Sequence, residues 1–263
     1  RASFHSKVDM LEAVSREVEQ WAELHDEEID DLKKLEAYRR EFLGNVSHEL
    51  KTPITTIQGY VLTLLDGGMY DTAVNKKYLL RTAKSINRMI AIVNDLEAIS
   101  KFEAGVIQLQ QKKFNFTVSV LEVFDFMEMK AQKKTITLVF NENHEVPVYV
   151  IGDREKIRQV LINLIDNSLK YGKENGTTKV SLFDMDDHYL IEVSDDGIGI
   201  DEADLPRVFE RFYRTEKSRA RAQGGTGLGL AIVKHIVEAH NQTIHVRSRL
   251  DVGSTFAFTL KKA

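Results

Sequence analysis

Apolar residues recur at helical spacing along the early part of the chain. Leu11, Val14, Val18, Trp21, Leu32, Leu35 and Phe42 follow a seven-residue repeat, and a second register (Val8 with Leu11, Ile29 with Leu32) overlaps it. The stripe continues through Val46, Leu50, Ile54, Ile57, Val61 and Leu64. No proline precedes Pro53 and the only earlier glycine is Gly44, so the pattern predicts one helix from about Ser3 to Asp66. Overlapping registers are those of a coiled coil with a stutter. A helix this long cannot bury its own seam, so a second copy of the chain is expected to cover it. His25 falls on that seam as a polar core position, and the many Glu, Asp, Lys and Arg residues make a solvated outer face.

Asp66-Gly67-Gly68-Met69-Tyr70-Asp71 interrupts the pattern, with Asp71 or Thr72 placed to cap a second helix over about Thr72 to Phe102. Its stripe is Leu79, Ala83, Ile86, Ile90, Val93 and Glu97. Two antiparallel helices with apolar seams are half of a four-helix bundle, which a dimer completes. After Glu103-Ala104-Gly105 the period changes. Strand-like runs (Ile107–Phe116, Thr135–Phe140, Val146–Gly152, Thr177–Phe183, Tyr189–Ser194, Thr243–Arg249, Ser254–Leu260) alternate with helices over about Val118–Lys133, Arg154–Tyr171 and Gly227–His240. Several strands come in neighbouring pairs, which predicts an α+β sandwich with a mixed sheet.

Bulk properties narrow this little further. The 263 residues suffice for one large or two modest domains. A net charge of −4 gives no reason to expect nucleic-acid binding. The absence of cysteine excludes disulfides and thiolate metal sites. No run approaches the ~20 apolar residues of a membrane span. The chain starts at Arg1 inside a helical pattern, as a fragment of a longer protein would.

Five stretches carry candidate chemistry. In Ser47-His48-Glu49-Leu50-Lys51-Thr52-Pro53, His48 lies about 200° round the helix from Val46, so its imidazole points away from the packed stripe. Pro53 denies the Glu49 carbonyl its helical donor, and a bend is expected there. Downstream, Asp153 caps a helix on which Asn163, Asn167 and Lys170 share a face at i, i+4 and i+7, with Tyr171 next. Two amides and an ammonium in a row suit a hydrated magnesium and the phosphates on it. Ser194-Asp195-Asp196-Gly197-Ile198-Gly199 puts a carboxylate at a strand end, where Asp195 can accept from an exocyclic amine and the glycines let a ligand near the backbone. From Asp201 to Gly224 a short helix (Glu202–Phe209) leads into Glu210-Arg211-Phe212-Tyr213-Arg214 and a basic run with Lys217, Arg219 and Arg221, a connection long enough for a lid. Finally, Gly224-Gly225-Thr226-Gly227-Leu228-Gly229-Leu230 opens a helix, and backbone N–H groups there form an anion site. It is neither a P-loop nor a dinucleotide fingerprint. Metal alternatives fail: the His48 stretch lacks the second histidine of a zinc-protease helix, and His235 and His240 fall on different faces.

The first stretch resembles the phospho-acceptor box of sensor histidine kinases of the His-Glu-x-x-Thr class. The other four resemble, in order and spacing, the N, G1, F and G2 boxes of their catalytic domains, a fold shared with gyrase-type topoisomerase subunits, heat-shock chaperones of the ninety-kilodalton class and mismatch-repair ATPases. The resemblance implies a multidomain α and α+β protein: a coiled-coil signalling helix (1–41), a dimerisation and phosphotransfer hairpin (42–104) and a catalytic ATP-binding α/β sandwich (105–263). It implies ATP and Mg2+, with Asn167 as metal ligand, Asn163, Lys170 and Tyr171 on phosphate or ribose, and Asp195 on adenine beside Gly197 and Gly199. Arg214 and the backbone of Gly225, Thr226, Gly227, Leu228, Gly229 and Leu230 would hold phosphates. His48 would take the γ-phosphoryl group, Glu49 would act as general base or orient the ring, and Thr52 would position water when the partner is dephosphorylated. The implied partners are a second copy of the chain and the receiver domain of a response regulator, in the cytoplasmic portion of a sensor anchored in the membrane upstream, with no membrane contact by this segment.

Hydrolysing relatives carry a water-activating Glu where this chain has Asn163, which cannot accept a proton from water. A hydrolysing ATPase of the same superfamily, or a nucleotide-binding dimeric scaffold without kinase activity, are the alternatives. One departure is His240-Asn241-Gln242 where the family often has His-Gly-Gly; Asn tolerates the left-handed conformation that turn needs.

Overall fold

A computed structural model describes residues 2–105, 108–141, 147–215 and 225–263, together with the side chains of Trp21, His25 and the residues from Glu28 onward in the first helix. Helix α1 (Ala2–Leu65) runs through Pro53. The chain divides into two compact units, Arg1–Thr55 and Thr56–Ala263.

The first unit is α1 alone. Its polar surface is laced by pairs one turn apart: Lys33 with Asp30 (3.5 Å), Lys34 with Asp31 (2.9 Å) and Arg40 with Glu36 (2.7 Å). Such pairs add a few tenths of a kcal/mol each, about 0.2–0.5. Trp21, Leu32, Leu35 and Leu43 stand exposed. His25 is exposed with them, its ring 4.4 Å from Trp21 and its Nδ1 3.3 Å from Glu28.

The second unit starts with the last turns of α1. A 3-10 turn (Gly68–Tyr70) follows Gly67, whose φ of 99° only glycine adopts without strain. Helix α2 (Asn75–Glu103) runs back, and Tyr78 stacks on Tyr60 at 5.1 Å. It begins three residues later than the sequence pattern predicts. The Asp71 carboxylate caps a turn instead, accepting the Ala73 N–H at 2.8 Å, and the residue before the helix, Val74, makes no side-chain cap.

The α/β part contains helices α3 (Phe116–Gln132), α4 (Arg154–Tyr171) and α5 (Gly229–Ala239). Its strands are β1 (Lys112–Asn115), β2 (Thr137–Phe140), β3 (Tyr149–Gly152), β4 (Thr177–Asp184), β5 (His188–Asp195), β6 (Ile244–Arg249) and β7 (Gly253–Lys262). They form one mixed sheet in the order β1-β3-β7-β5-β4-β2, with β6 also on β7; β2 and β4 are parallel and the other pairs antiparallel. Ile157, Leu161, Leu164 and Ile165 of α4 and Ile232 and Ile236 of α5 pack with Val180, Ile191 and Phe258 of the sheet in a core almost without solvent contact.

Some predicted boundaries move for local reasons. The strand predicted over Ile107–Phe116 is β1, Lys112–Asn115: residues 108–111 do not pair in the sheet, and at the other end the Asn115 side chain accepts the Val118 N–H at 3.3 Å and starts α3. The helix predicted from Gly227 begins at Gly229, since Gly227 has φ +74°. The short helix predicted over Glu202–Phe209 is 3-10 in form, Glu202–Arg207, capped by Asp201. Ile107, Val146, Lys217, Arg219, Arg221 and Gly224 lie outside the described residues. His240 is a fixed strut, its Nδ1–H on the Ile236 carbonyl (2.7 Å) and its Nε2 accepting the Asp153 N–H (2.9 Å). Asn241 adopts the left-handed conformation expected of it, at φ 57°.

Candidate active site

In the first unit His48 is exposed on α1, as the periodicity predicts, and Glu49 beside it is half-buried. The Thr52 hydroxyl donates to the His48 carbonyl at 3.2 Å, one turn back. This ties the side chain after the imidazole to the backbone that carries it.

In the second unit a cavity of about 930 Å³ gathers Asn163, Asn167, Lys170 and Tyr171 of α4, Asp195 at the end of β5, Gly199, Arg214, and Gly225, Thr226, Gly227, Gly229 and Leu230 of the loop entering α5. The side of α4 that faces away from the core carries the first four. The loop is shaped by glycine contacts that admit no side chain. A Cβ on Gly227 would stand 2.7 Å from the Phe212 backbone, and the Phe212 N–H donates to the Gly227 carbonyl at 2.9 Å. The Asn163 amide donates to the Gly229 carbonyl at 3.3 Å, joining α4 to the start of α5. Leu228 is fully buried and anchors the loop to the core.

Asp195 is placed by its strand. Its Oδ1 accepts the Gly197 N–H at 2.9 Å, and the backbone of Ser254, its neighbour across β7, also bonds it. Burial outweighs these bonds and, with Asp196 adding repulsion, pushes its carboxyl up to about 6. Gly197 is needed because any Cβ would meet the Tyr171 carbonyl at 2.6 Å. Asp196 points elsewhere: its carboxylate accepts the Thr177 N–H and pins the start of β4.

Lys170 is also held below its ordinary range by burial; Tyr171 and Asp95 oppose the shift and Arg214 adds to it. Its Nζ lies 2.6 Å from Asp166 Oδ2. A Cβ on Gly225 would come within 3.6 Å of the same ammonium, so the glycine loop edges up to it.

The cavity contains groups that the sequence pattern did not single out. Helix α2 contributes Lys84, Arg88 and Asp95, α3 contributes Lys130, and the turn after α3 contributes Lys133 and Lys134. The Thr226 hydroxyl donates to Asp95 Oδ2 at 3.1 Å and accepts the Leu228 N–H at 3.2 Å. Burial raises the Asp95 carboxyl, against the Thr226 bond and the Lys170 charge. Farther along α2, Phe102 stacks on His235 at 6.3 Å and Glu103 pairs with Arg211. Asp166 had a signal in the sequence, one turn from Asn163 and Lys170 on their own helix. The α2 and α3 groups had none, because only tertiary packing brings them to the cavity.

Two family models match the chain. Residues 38–105 match the His Kinase A (phospho-acceptor) domain, and residues 152–263 match the histidine kinase-, DNA gyrase B- and HSP90-like ATPase. The chain is 37% identical over 258 residues to the sensor histidine kinase WalK of Bacillus subtilis (strain 168), covering 97% of this chain and 40% of that protein. It is 31% identical to the catalytic domain of the histidine kinase ThkA, covering 58% of this chain and 96% of that one, with a TM-score of 0.50. ThkA in complex with the response regulator protein TrrA superposes with a TM-score of 0.69 at 29% identity, covering 85% of this chain and 61% of that one.

Proposed function

The chain belongs to the sensor histidine kinase family, and on that premise we propose that it transfers the γ-phosphoryl group of ATP to His48 and passes it to an aspartate of a response regulator. The observation that carries this reading is the cavity: the residues of four separate sequence boxes line one space. The division of labour is a phosphotransfer hairpin over 42–104 and a nucleotide-binding domain over 105–263, preceded by a coiled-coil signalling helix over 1–41.

Adenine meets Asp195, whose ionised carboxylate accepts the exocyclic amine; Gly199 lines the cavity beside it, while Gly197 packs on the Tyr171 carbonyl and donates its N–H to Asp195. Phosphates meet Lys170, Arg214 and the backbone from Gly225 to Leu230, with Asn163 and Tyr171 on phosphate or ribose. Mg2+ fits this donor set. Among the described residues no group of three or more His, Cys, Asp or Glu could hold a metal. The ion would instead take the Asn167 amide oxygen and phosphate oxygens, a hard, hydrated shell that neutralises the triphosphate.

The chain's own residues supply the rest. A neutral imidazole nitrogen of His48 attacks the γ-phosphorus in line; an N–P bond forms, the P–O bond to the β-phosphate breaks, and ADP leaves. Glu49 takes the ring proton or orients the ring, and Thr52 positions the water that hydrolyses the phosphoaspartate of the response regulator when the partner is dephosphorylated. Asn163 favours transfer over hydrolysis: it is an amide engaged with the Gly229 carbonyl, where a water-activating base would have to stand.

Dimerisation through the apolar faces of α1 and α2 would complete a four-helix bundle, since Leu79, Leu80, Ile86 and Ile90 are exposed in the single chain. The chain spans 40% of the Bacillus relative, and no described helix is long and apolar enough to cross a membrane. We place it in the cytoplasmic part of a membrane-anchored sensor that works with a receiver domain.

Labelled ATP tests the reading. Acid-labile phosphate retained on the protein and lost in His48→Ala is expected. Rapid release of free phosphate with no labelled protein would instead identify a hydrolase.

A further inference from the structure

The lysines that α3 and the turn after it bring to the cavity belong to none of the boxes. The Asp166 carboxylate stands between two ammoniums: Oδ2 meets Lys170, and Oδ1 meets Lys130, 36 residues earlier on α3. Beside them the Lys134 ammonium donates to the Lys170 carbonyl at 2.9 Å, and Lys133 lines the same wall. Four cations thus share this side of the cavity with the Asp166 carboxylate, and Asp95 acts on Lys170 from α2. The Lys130 and Lys170 side chains are 45% and 24% exposed, so solvent screens their mutual repulsion only in part. Repulsion is felt: burial, then Lys170, then Lys134 bring the Lys130 ammonium down to about 8. Lys130 and Lys170 share the Asp166 carboxylate between them, an arrangement to which a polyanion would add favourable negative charge.

We propose that Lys130 is a second ammonium on the polyphosphate of the nucleotide, and that Asp166 holds both lysines in place until the phosphates arrive. The inference rests on the ATP reading above and extends it to a helix outside the nucleotide motifs. Lys130 contributes by charge and position, so Arg should substitute for it and Met should not.

Binding of ATP and of adenosine to wild-type protein, Lys130→Met and Lys130→Arg, followed by NMR titration at low salt, is the test. The expected result is an ATP affinity lowered on the order of tenfold in Lys130→Met, a loss typical of one charge-assisted contact. Adenosine affinity should be unchanged, Lys130→Arg should stay near wild type, and the salt dependence of ATP binding should become shallower in Lys130→Met. An unchanged ATP affinity in Lys130→Met, or an equal loss for ATP and adenosine, would overturn the proposal while leaving the nucleotide site standing. Failure of wild-type protein to bind ATP would overturn the nucleotide reading itself.

Discussion

The two units of this chain handle apolar surface in opposite ways. Leu35 on the first helix is 62% exposed, whereas Leu164 on α4 is 1% exposed. The α/β region closes its core with its own sheet and helices. In the first unit the described seam residues Leu32 and Leu35 stand exposed, so that stretch of α1 depends for its stability on what it packs against. The candidate chemistry divides along the same line. His48 is displayed on a helix surface, while Asp195 and Lys170 work from a cavity where burial alters their proton affinity. A displayed nucleophile can be offered to more than one partner in turn; a recessed cradle can hold one ligand with many groups.

Substitutions test this division. The largest effect is expected at the displayed residue: His48→Ala should abolish phosphate incorporation, by on the order of a thousandfold or more, while ATP binding in the cavity stays intact. Loss of both would mean the units are not separable. Next, Leu164→Ala should destabilise the α/β fold by about 2–5 kcal/mol, the cost of an unfilled core site. Leu35→Ala should leave that unfolding transition in place and act only through association, so its effect should depend on protein concentration in denaturation experiments. Asp195→Asn should weaken ATP binding by about 10–100-fold, the worth of a hydrogen bond to a charged group, with little change in thermal stability. The smallest effect concerns pH. On the proposed reading ATP binds through ionised Asp195, whose carboxyl is pushed up to about 6 by burial. Its affinity should be level above that pH and fall by up to about tenfold per unit below it. A titration flat from pH 7 to pH 5 would remove Asp195 from the contact.

Much of this was readable in the chain. Helix α4 was legible to the residue because Asp153 caps it and its apolar stripe is unbroken, and the same stripe fixed which face Asn163, Asn167 and Lys170 share. The start of α2 was not. Asp71 has the chemistry of a cap, but it serves the turn before the helix, and choosing between the two needs the path set by Gly67 and Gly68. Asn115 hid in the same way: in sequence it continues a strand, and in the fold its side chain ends one and begins a helix. The boxes gave the cavity floor and the loop. They were silent on the walls, since Lys130 and Asp95 are ordinary surface-type residues on helices whose packing against α4 and α5 no local pattern encodes.

The hydroxyl of Thr226 spans two parts of the molecule, giving its proton to Asp95 on α2 and its lone pair to the Leu228 amide. A hydroxyl has a single hydrogen to donate. If that hydrogen turns toward an incoming phosphate, Asp95 must find another donor or take up a proton of its own. A phosphate that drew this hydrogen away would thereby alter the attachment of α2, a helix that is no part of the glycine loop.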